Sequence, residues 1–419
     1  ATQTTALNAV AIGTDADATG IDSVALGYSA VASADETFAA GAKATASAAS
    51  AIAIGYNALA NQTSATALGR QAKATANETI AIGYLANADA NQAIAIGDRA
   101  LANDTYSIAI GSRANASGDR SIALGYQAFA SGTNAAALMV CAQAFGTDAL
   151  AFGQFAYASG VNSLALGARA RAESTDSFAV GVGANASGVN AFAFGSYSNA
   201  ECANAFALGS NAIAKGANAT AIGSKSFANG TDAFALGVGA KAEGNSSFSI
   251  GDFAFTSRYS ATSIATGDGA KAITNDSAAY GTDALAMQPN SYAYGTESQA
   301  LASNSIASGT GAQSGGANSI ALGQNAMTYG TISHNQSANA VAVGVSSLSN
   351  GINATSLGTE ANANGANAQA FGASAASNGT NTTAIGSNAS AIGTNAYASG
   401  PNAYAEGRNV IAIGVNSYA

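Results

Sequence analysis

Residues 121–132 read "SIALGYQAFASG", with Gly125 and Gly132 seven positions apart and no charged residue between them. Ile122, Ala123 and Leu124 alternate large and small, the period of two that marks a strand. Gly125 then breaks the run, Ala128 and Ala130 alternate again, and Gly132 breaks the second run. The phrase recurs throughout the chain. Glycines closing an apolar–Ala–apolar run fall at 13, 27, 55, 69, 83, 97, 111 and 125, and continue from 153 to 251 on a spacing of fourteen. A second glycine often lies midway, as at Gly118, Gly132, Gly160 and Gly188. The repeat is therefore two halves of seven, with the consensus Ser-Ile-Ala-Ile-Gly-x-x-Ala-x-Ala-x-Gly-x-Asn.

A period of seven and an abundance of alanine also suggest a coiled coil. Glycine in every half-repeat argues against it, because each costs about 1 kcal/mol in a helix interior. Glycine and asparagine after each short run instead supply the positive φ of a turn. Each repeat is expected to run strand, turn, strand, turn, stacking on the next at about the 4.8 Å spacing of neighbouring strands. The fold class expected is all-β, a solenoid of about thirty such turns.

The second strand of the quoted repeat offers Ala128 and Ala130 on one face and Phe129 and Ser131 on the other. The slot of Phe129 is mostly polar elsewhere, so it faces water and the alanines face inward. Two assignments of the first strand remain. In the favoured one, Ile122 and Leu124 pack on those alanines, and Ala123 joins an outward alanine stripe with Ala109 and Ala165. Such a stripe is an apolar patch that a monomer rarely exposes, which would place these alanines at the axis of a symmetric oligomer. In the alternative, the Ile/Leu pair faces the axis and alanine packs on alanine inside. Both require an oligomer.

Composition narrows the function. Of 419 residues 48% are apolar and 9% charged, and the formal net charge is −9. That balance argues against a nucleic-acid partner, which needs clustered Lys and Arg. The one hint of a basic column is Arg99, Arg113 and Arg169, read as a solvated edge with a local anion site as the alternative. Cys141 and Cys202 form no metal or redox motif, and lie too many turns apart for a disulfide. No run of 18 apolar residues exists and no signal peptide is recognisable. Both ends fall inside a repeat, as expected of a piece of something longer.

No catalytic constellation emerges. His334 stands alone, and Asp15, Asp17 and Asp35 are spread too thinly to pair as glycosidase carboxylates. The calcium-binding nonapeptide of other parallel rolls and a phosphate loop are both missing. The expectation is no enzyme, no cofactor and no metal. Tyr28, Tyr56, Tyr84 and Tyr126 all follow a marker glycine and should line one edge. They are the candidate ligand-binding residues, because tyrosine gives large contact area at low entropic cost. The competing reading has them pack on neighbouring turns.

The phrases "SIALGYQAFASG", "SVALGYSAVAS" (23–33) and "TIAIGYLANADA" (79–90) resemble the head repeats of trimeric autotransporter adhesins, the YadA-like family. The resemblance covers nearly the whole chain. It implies a left-handed parallel β-roll, a parallel homotrimer, and an extracellular passenger on a Gram-negative cell surface, held to the outer membrane by an anchor domain not present here. It also implies partners such as collagen and other extracellular-matrix proteins, with abiotic surfaces a further candidate. The family's neck, heptad stalk and barrel are not recognisable in this sequence. A structural fibre subunit and an ice-binding solenoid are the other functions weighed.

Three segments are expected: regular repeats over 1–251, a break at 252–266, and continued repeats over 267–419. The break holds two inserted residues within "DFAFTSRYSATS" (252–263). A further half-repeat enters at "GTISHNQSANA" (330–340). Insertions in solenoids often mark a binding face. Met139 replaces a marker glycine, which suggests a repacked turn.

Overall fold

The computed structural model describes residues 2–329 and 337–419. Among these residues the chain forms short β-strands from Gln3 to Ile413 and no helix. They make a parallel β-solenoid of two strands per turn. Contacts divide it into two compact units, Ala1–Asn204 and Ala205–Ala419.

The repeat opened above shows how one turn is built in the first unit. Strand Ile122–Leu124 is followed by strand Phe129–Ala130. Each pairs only with its own counterparts in the turns before and after, and the pairing is parallel. Ile108, Ala109 and Ile110 lie beside Ile122, Ala123 and Leu124, while Asn115 lies beside Phe129. Like therefore stacks on like, and each side-chain position becomes a rank along the unit.

Between the strands the chain reverses twice. At the first bend Gly125 has φ 136° and Gln127 has φ 55°; at the second, Asn134 has φ 55°. The left-handed slot costs least for Gly, Asn and Asp, which explains the asparagine that closes the consensus. A Cβ on Gly125 would stand 2.6 Å from the Met139 backbone of the next turn, so glycine is needed for space as well as for φ. Met139 itself adopts φ 98° and its N–H still donates to the Leu124 carbonyl at 2.7 Å. The turn expected to repack is retained, with a methionine held where glycine belongs.

The interior decides between the two face assignments. Ser121, Ala123, Ala128, Ala130 and Gly132 point inward, and the serine and alanines are fully buried. Among the described residues no fully buried side chain is larger than threonine. The two strands of a turn lie too close for isoleucine or leucine between them. Ile122 and Leu124 face outward and stay 38% and 45% exposed. The placement of Ala109, Ala123 and Ala165 at an oligomer axis is thus corrected: all three are 0% exposed inside a single chain's roll. Many interior hydroxyls are satisfied locally, as where Ser163 donates to the Gly160 carbonyl at 2.7 Å, while those of Ser23 and Ser337 find no partner.

The second unit repeats this plan with three changes. From Leu348–Asn350 onward the second strand lengthens to three residues, as in Asn362–Asn364 and Ala376–Asn378, and then to five in Ser390–Thr394 and Tyr404–Arg408. Gly365 and Gly379, with φ 143° and 137°, now serve the second bend as the marker glycines serve the first. A ladder of asparagine amides runs along one bend. Asn353 donates to Asn367 at 3.1 Å, Asn367 to Asn381 at 2.9 Å, Asn381 to Asn395 at 3.1 Å, and Asn395 to Asn409 at 2.8 Å. Finally, the two extra residues after Gly251 are expelled as a turn at Ser257–Ser260. Strand Phe248–Ile250 still pairs with Ile264–Thr266, and the expelled Tyr259 is among the most exposed side chains. His334 and most of the extra half-repeat lie outside the described residues; Ser337–Ala340 re-enters the lattice, and Ile320 pairs with Val341.

Candidate binding surface

The outward positions of each turn form four ranks: the face of the first strand, the bend after it, the face of the second strand, and the bend that closes the turn. Each has its own chemistry.

The first-strand face is apolar. Ile52, Leu68, Ile122, Leu124, Phe152 and Phe192 all show large exposed hydrophobic surface there. Its aromatics stack between turns: Phe178 and Phe192 at 4.9 Å, and in the second unit Tyr280 and Tyr294 at 5.2 Å. Burial first, then the neighbouring phenols Tyr280 and Tyr292, hold the Tyr294 hydroxyl above the usual tyrosine pKa. Exposed apolar surface of this extent is uncommon on a soluble monomer. The outward apolar stripe expected from alanine therefore exists, built instead from isoleucine, leucine and phenylalanine.

The first bend carries the four tyrosines. Tyr28, Tyr56, Tyr84 and Tyr126 are all exposed there, as their spacing required. The structure joins only two of them. The Arg70 guanidinium lies between Tyr56 and Tyr84, 5.7 Å and 5.6 Å from the two ring centroids. Arg99 covers Tyr84 at 5.6 Å as well, and pairs with Asp98 at 3.7 Å. Arg70 was missed from the sequence because it occupies a tyrosine slot; its number places it on the same rank. Lys43, Arg113 and Arg169 project from the same bend and are exposed.

The second-strand face is mixed. Asn115, Phe129, Tyr157 and Arg171 lie along it, with Arg171 over the Tyr157 ring at 5.1 Å and paired to Glu173 at 2.6 Å. The closing bend is acidic or amide-rich. There Asn134 donates to Asp148 and Asn162 to Asp176, each at 2.9 Å. Cys141 lies on the first bend and Cys202 on the closing bend, and both are free thiols. Among the described residues no three His, Cys, Asp or Glu side chains are grouped to hold a metal.

Comparison with known proteins follows this geometry. The family described as YadA head domain repeat matches stretches from residues 5–30 to 391–417, including 116–138, 144–170 and 228–254. No curated protein matches. A solved structure described as the collagen-binding domain of the Yersinia adhesin YadA is similar at 22% identity. The match covers 45% of this chain and 65% of that one, with a TM-score of 0.15, too low to bear on the fold. Family repeats recur in phase through nearly the whole length, on a parallel solenoid of fourteen-residue turns, and this chain belongs to the YadA head domain repeat family.

Proposed function

We propose that this chain is the adhesive head of an extracellular, cell-surface protein that works as a parallel homotrimer and binds rather than catalyses. The observation that carries the reading is the apolar first-strand face. Its side chains are too large for the roll interior and too apolar for open solvent. Three chains turning that face inward would bury it, at roughly 25 cal/mol per Å² of apolar surface removed from water. The mixed face of the second strand would then meet the surroundings, bordered by the tyrosine rank.

Ligand binding by such a rod depends on many weak, equivalent contacts rather than one pocket. Extracellular-matrix proteins such as collagen are the proposed ligands. The test begins with sedimentation of the purified chain, where a trimer is expected and a monomer at micromolar concentration overturns the assembly. Binding to collagen-coated and bare surfaces then separates a matrix ligand from non-specific adhesion. Replacing Tyr28, Tyr56, Tyr84 and Tyr126 together by serine, with the trimer intact, should weaken that binding many-fold. Unchanged binding would remove the rank from the contact surface.

A further inference from the structure

The second unit carries a groove of about 360 Å³ between the first bend and the face of the second strand. Asn211 and Lys225 line it from the bend, and Ile213, Phe227, Lys241 and Glu243 from the strand face. The stacking of turns sets this arrangement. Strand Phe227–Ala228 lies between Ile213–Ala214 and Lys241–Ala242, with Phe227 in register with both Ile213 and Lys241. Gly239, two residues before Lys241, stands at the bend position that Asn211 and Lys225 hold in the turns before, and has no side chain to narrow the groove.

The charge of the groove is unbalanced. Lys225 and Lys241 are exposed and, among the described residues, make no ion pair. The one acid lining the groove is Glu243, and it is already engaged. Arg258, on the turn expelled after Gly251, reaches it at 3.5 Å, and the Glu243 side chain is only 17% exposed. The inserted residues thus neutralise the carboxylate and leave two cations uncompensated. Further along the unit the same edge forms a groove of about 450 Å³ lined by Asp283, Glu297, Gln299 and Gln313, with no cation among its lining residues. The solenoid supplies the groove, and the side chains of each stretch choose its charge.

We propose that the groove at Lys225 and Lys241 binds a carboxylated pyranose, the acidic unit of a glycan, with the carboxylate between the two lysines and the sugar ring against Phe227. Two ammonium groups act as point charges and suit one compact anionic centre. Phe227 is half-buried, and among the described residues no other ring or guanidinium stacks on it. A ring face is therefore left for the C–H face of a sugar. Asn211 spends one N–H on the Ser210 hydroxyl at 3.1 Å and keeps the other, with its carbonyl, for sugar hydroxyls. Small-molecule sites start at about 300 Å³, so the groove fits a short saccharide. A peptide backbone finds no partners there, because the Phe227 and Lys241 N–H groups already donate to the Ala240 and Ala254 carbonyls at 2.8 Å. Every group belongs to one chain, so this site goes beyond the proposed matrix ligand and does not depend on the trimer.

Calorimetric titration of the whole chain with trigalacturonic acid, its methyl ester, sialyllactose and lactose tests the site. Saturable binding of an acidic sugar is expected, with the ester and lactose about tenfold weaker or worse. The tighter of the two acids identifies the source, a uronic-acid polysaccharide or a sialylated glycan. Lys225→Gln and Lys241→Gln should each weaken that acid by about tenfold, and Lys241→Arg should keep most of the binding. Lys73→Gln removes an exposed lysine from the same face in the first unit and should change nothing. Arg258→Gln should weaken binding several-fold by releasing Glu243, and Arg258→Gln with Glu243→Gln should restore it. Failure of both acids to bind overturns the site, as does equal binding of the methyl ester or an equal loss in Lys73→Gln. Equal binding of tetraglutamate or dextran sulfate overturns the sugar assignment and leaves a general anion site. Sedimentation and collagen binding, measured beside these titrations, keep the fate of the adhesive head separate from that of the groove.

Discussion

The Arg70 guanidinium lies 5.6 Å from the centre of the Tyr84 ring, one turn below it, and closes a rank that the sequence displays as an interrupted row of tyrosines. Cation–π contacts at exposed sites are worth about 0.5–1 kcal/mol each. Tyr84→Ser removes two and should lower stability by about 1 kcal/mol. Tyr126→Ser should cost less, because among the described residues no guanidinium covers that ring. Chemical denaturation of both variants, with Arg70→Gln completing a double-mutant cycle against Tyr84→Ser, measures the difference.

The interior position of Ala123 gives a second expectation. Ala123→Glu places a carboxylate where, among the described residues, nothing larger than threonine is fully buried. It should unfold the surrounding turns, with a loss of about 4 kcal/mol or more. Ala109→Glu and Ala165→Glu should behave alike. Ile122→Glu, on the outward face, should leave the circular dichroism of the roll unchanged and shift sedimentation toward monomer. The reverse pattern would return the alanines to the axis.

Met139 holds a glycine's conformation at φ 98°. Strain of this kind costs on the order of 1–3 kcal/mol. Met139→Gly should raise the thermal midpoint despite the entropy of the added glycine. Gly125→Ala should lower it, since a Cβ there meets the next turn at 2.6 Å. A midpoint that falls for Met139→Gly would show the methionine side chain to be packing usefully.

In the amide ladder, Asn367 accepts from Asn353 and donates to Asn381. Asn367→Gly removes both rungs and keeps the left-handed backbone, for a loss of about 1–2 kcal/mol. Asn367→Ala removes the same rungs and adds roughly 1 kcal/mol for φ 57°. Equal losses for the two variants would mean the backbone conformation carries no cost at this bend.

Cys141 and Cys202 are separate free thiols. Thiol titration under native conditions should find Cys202, the more exposed, reacting first. Peptide mapping without reductant should find no bond between the two.

Much of this molecule is set locally, and so is legible in the chain. The spacing of glycines such as Gly125 and Gly132 determined a two-strand turn, because bends need positive φ or space for the neighbouring backbone. The alternation through Ile122, Ala123 and Leu124 determined strands, and repetition in phase determined parallel stacking and the alignment of Tyr28, Tyr56, Tyr84 and Tyr126. The inward face of the first strand was not determined by pattern, since Ile–Ala–Leu alternates equally well with either face inside. The distance between the two strands of a turn decided it, by leaving room for alanine and none for leucine. Tertiary stacking likewise placed Arg70 between two rings and drew the isolated charges of Arg169 and Asp176 into ranks on opposite bends. Such relations depend on which side chains share a turn and how the roll separates its two bends in space.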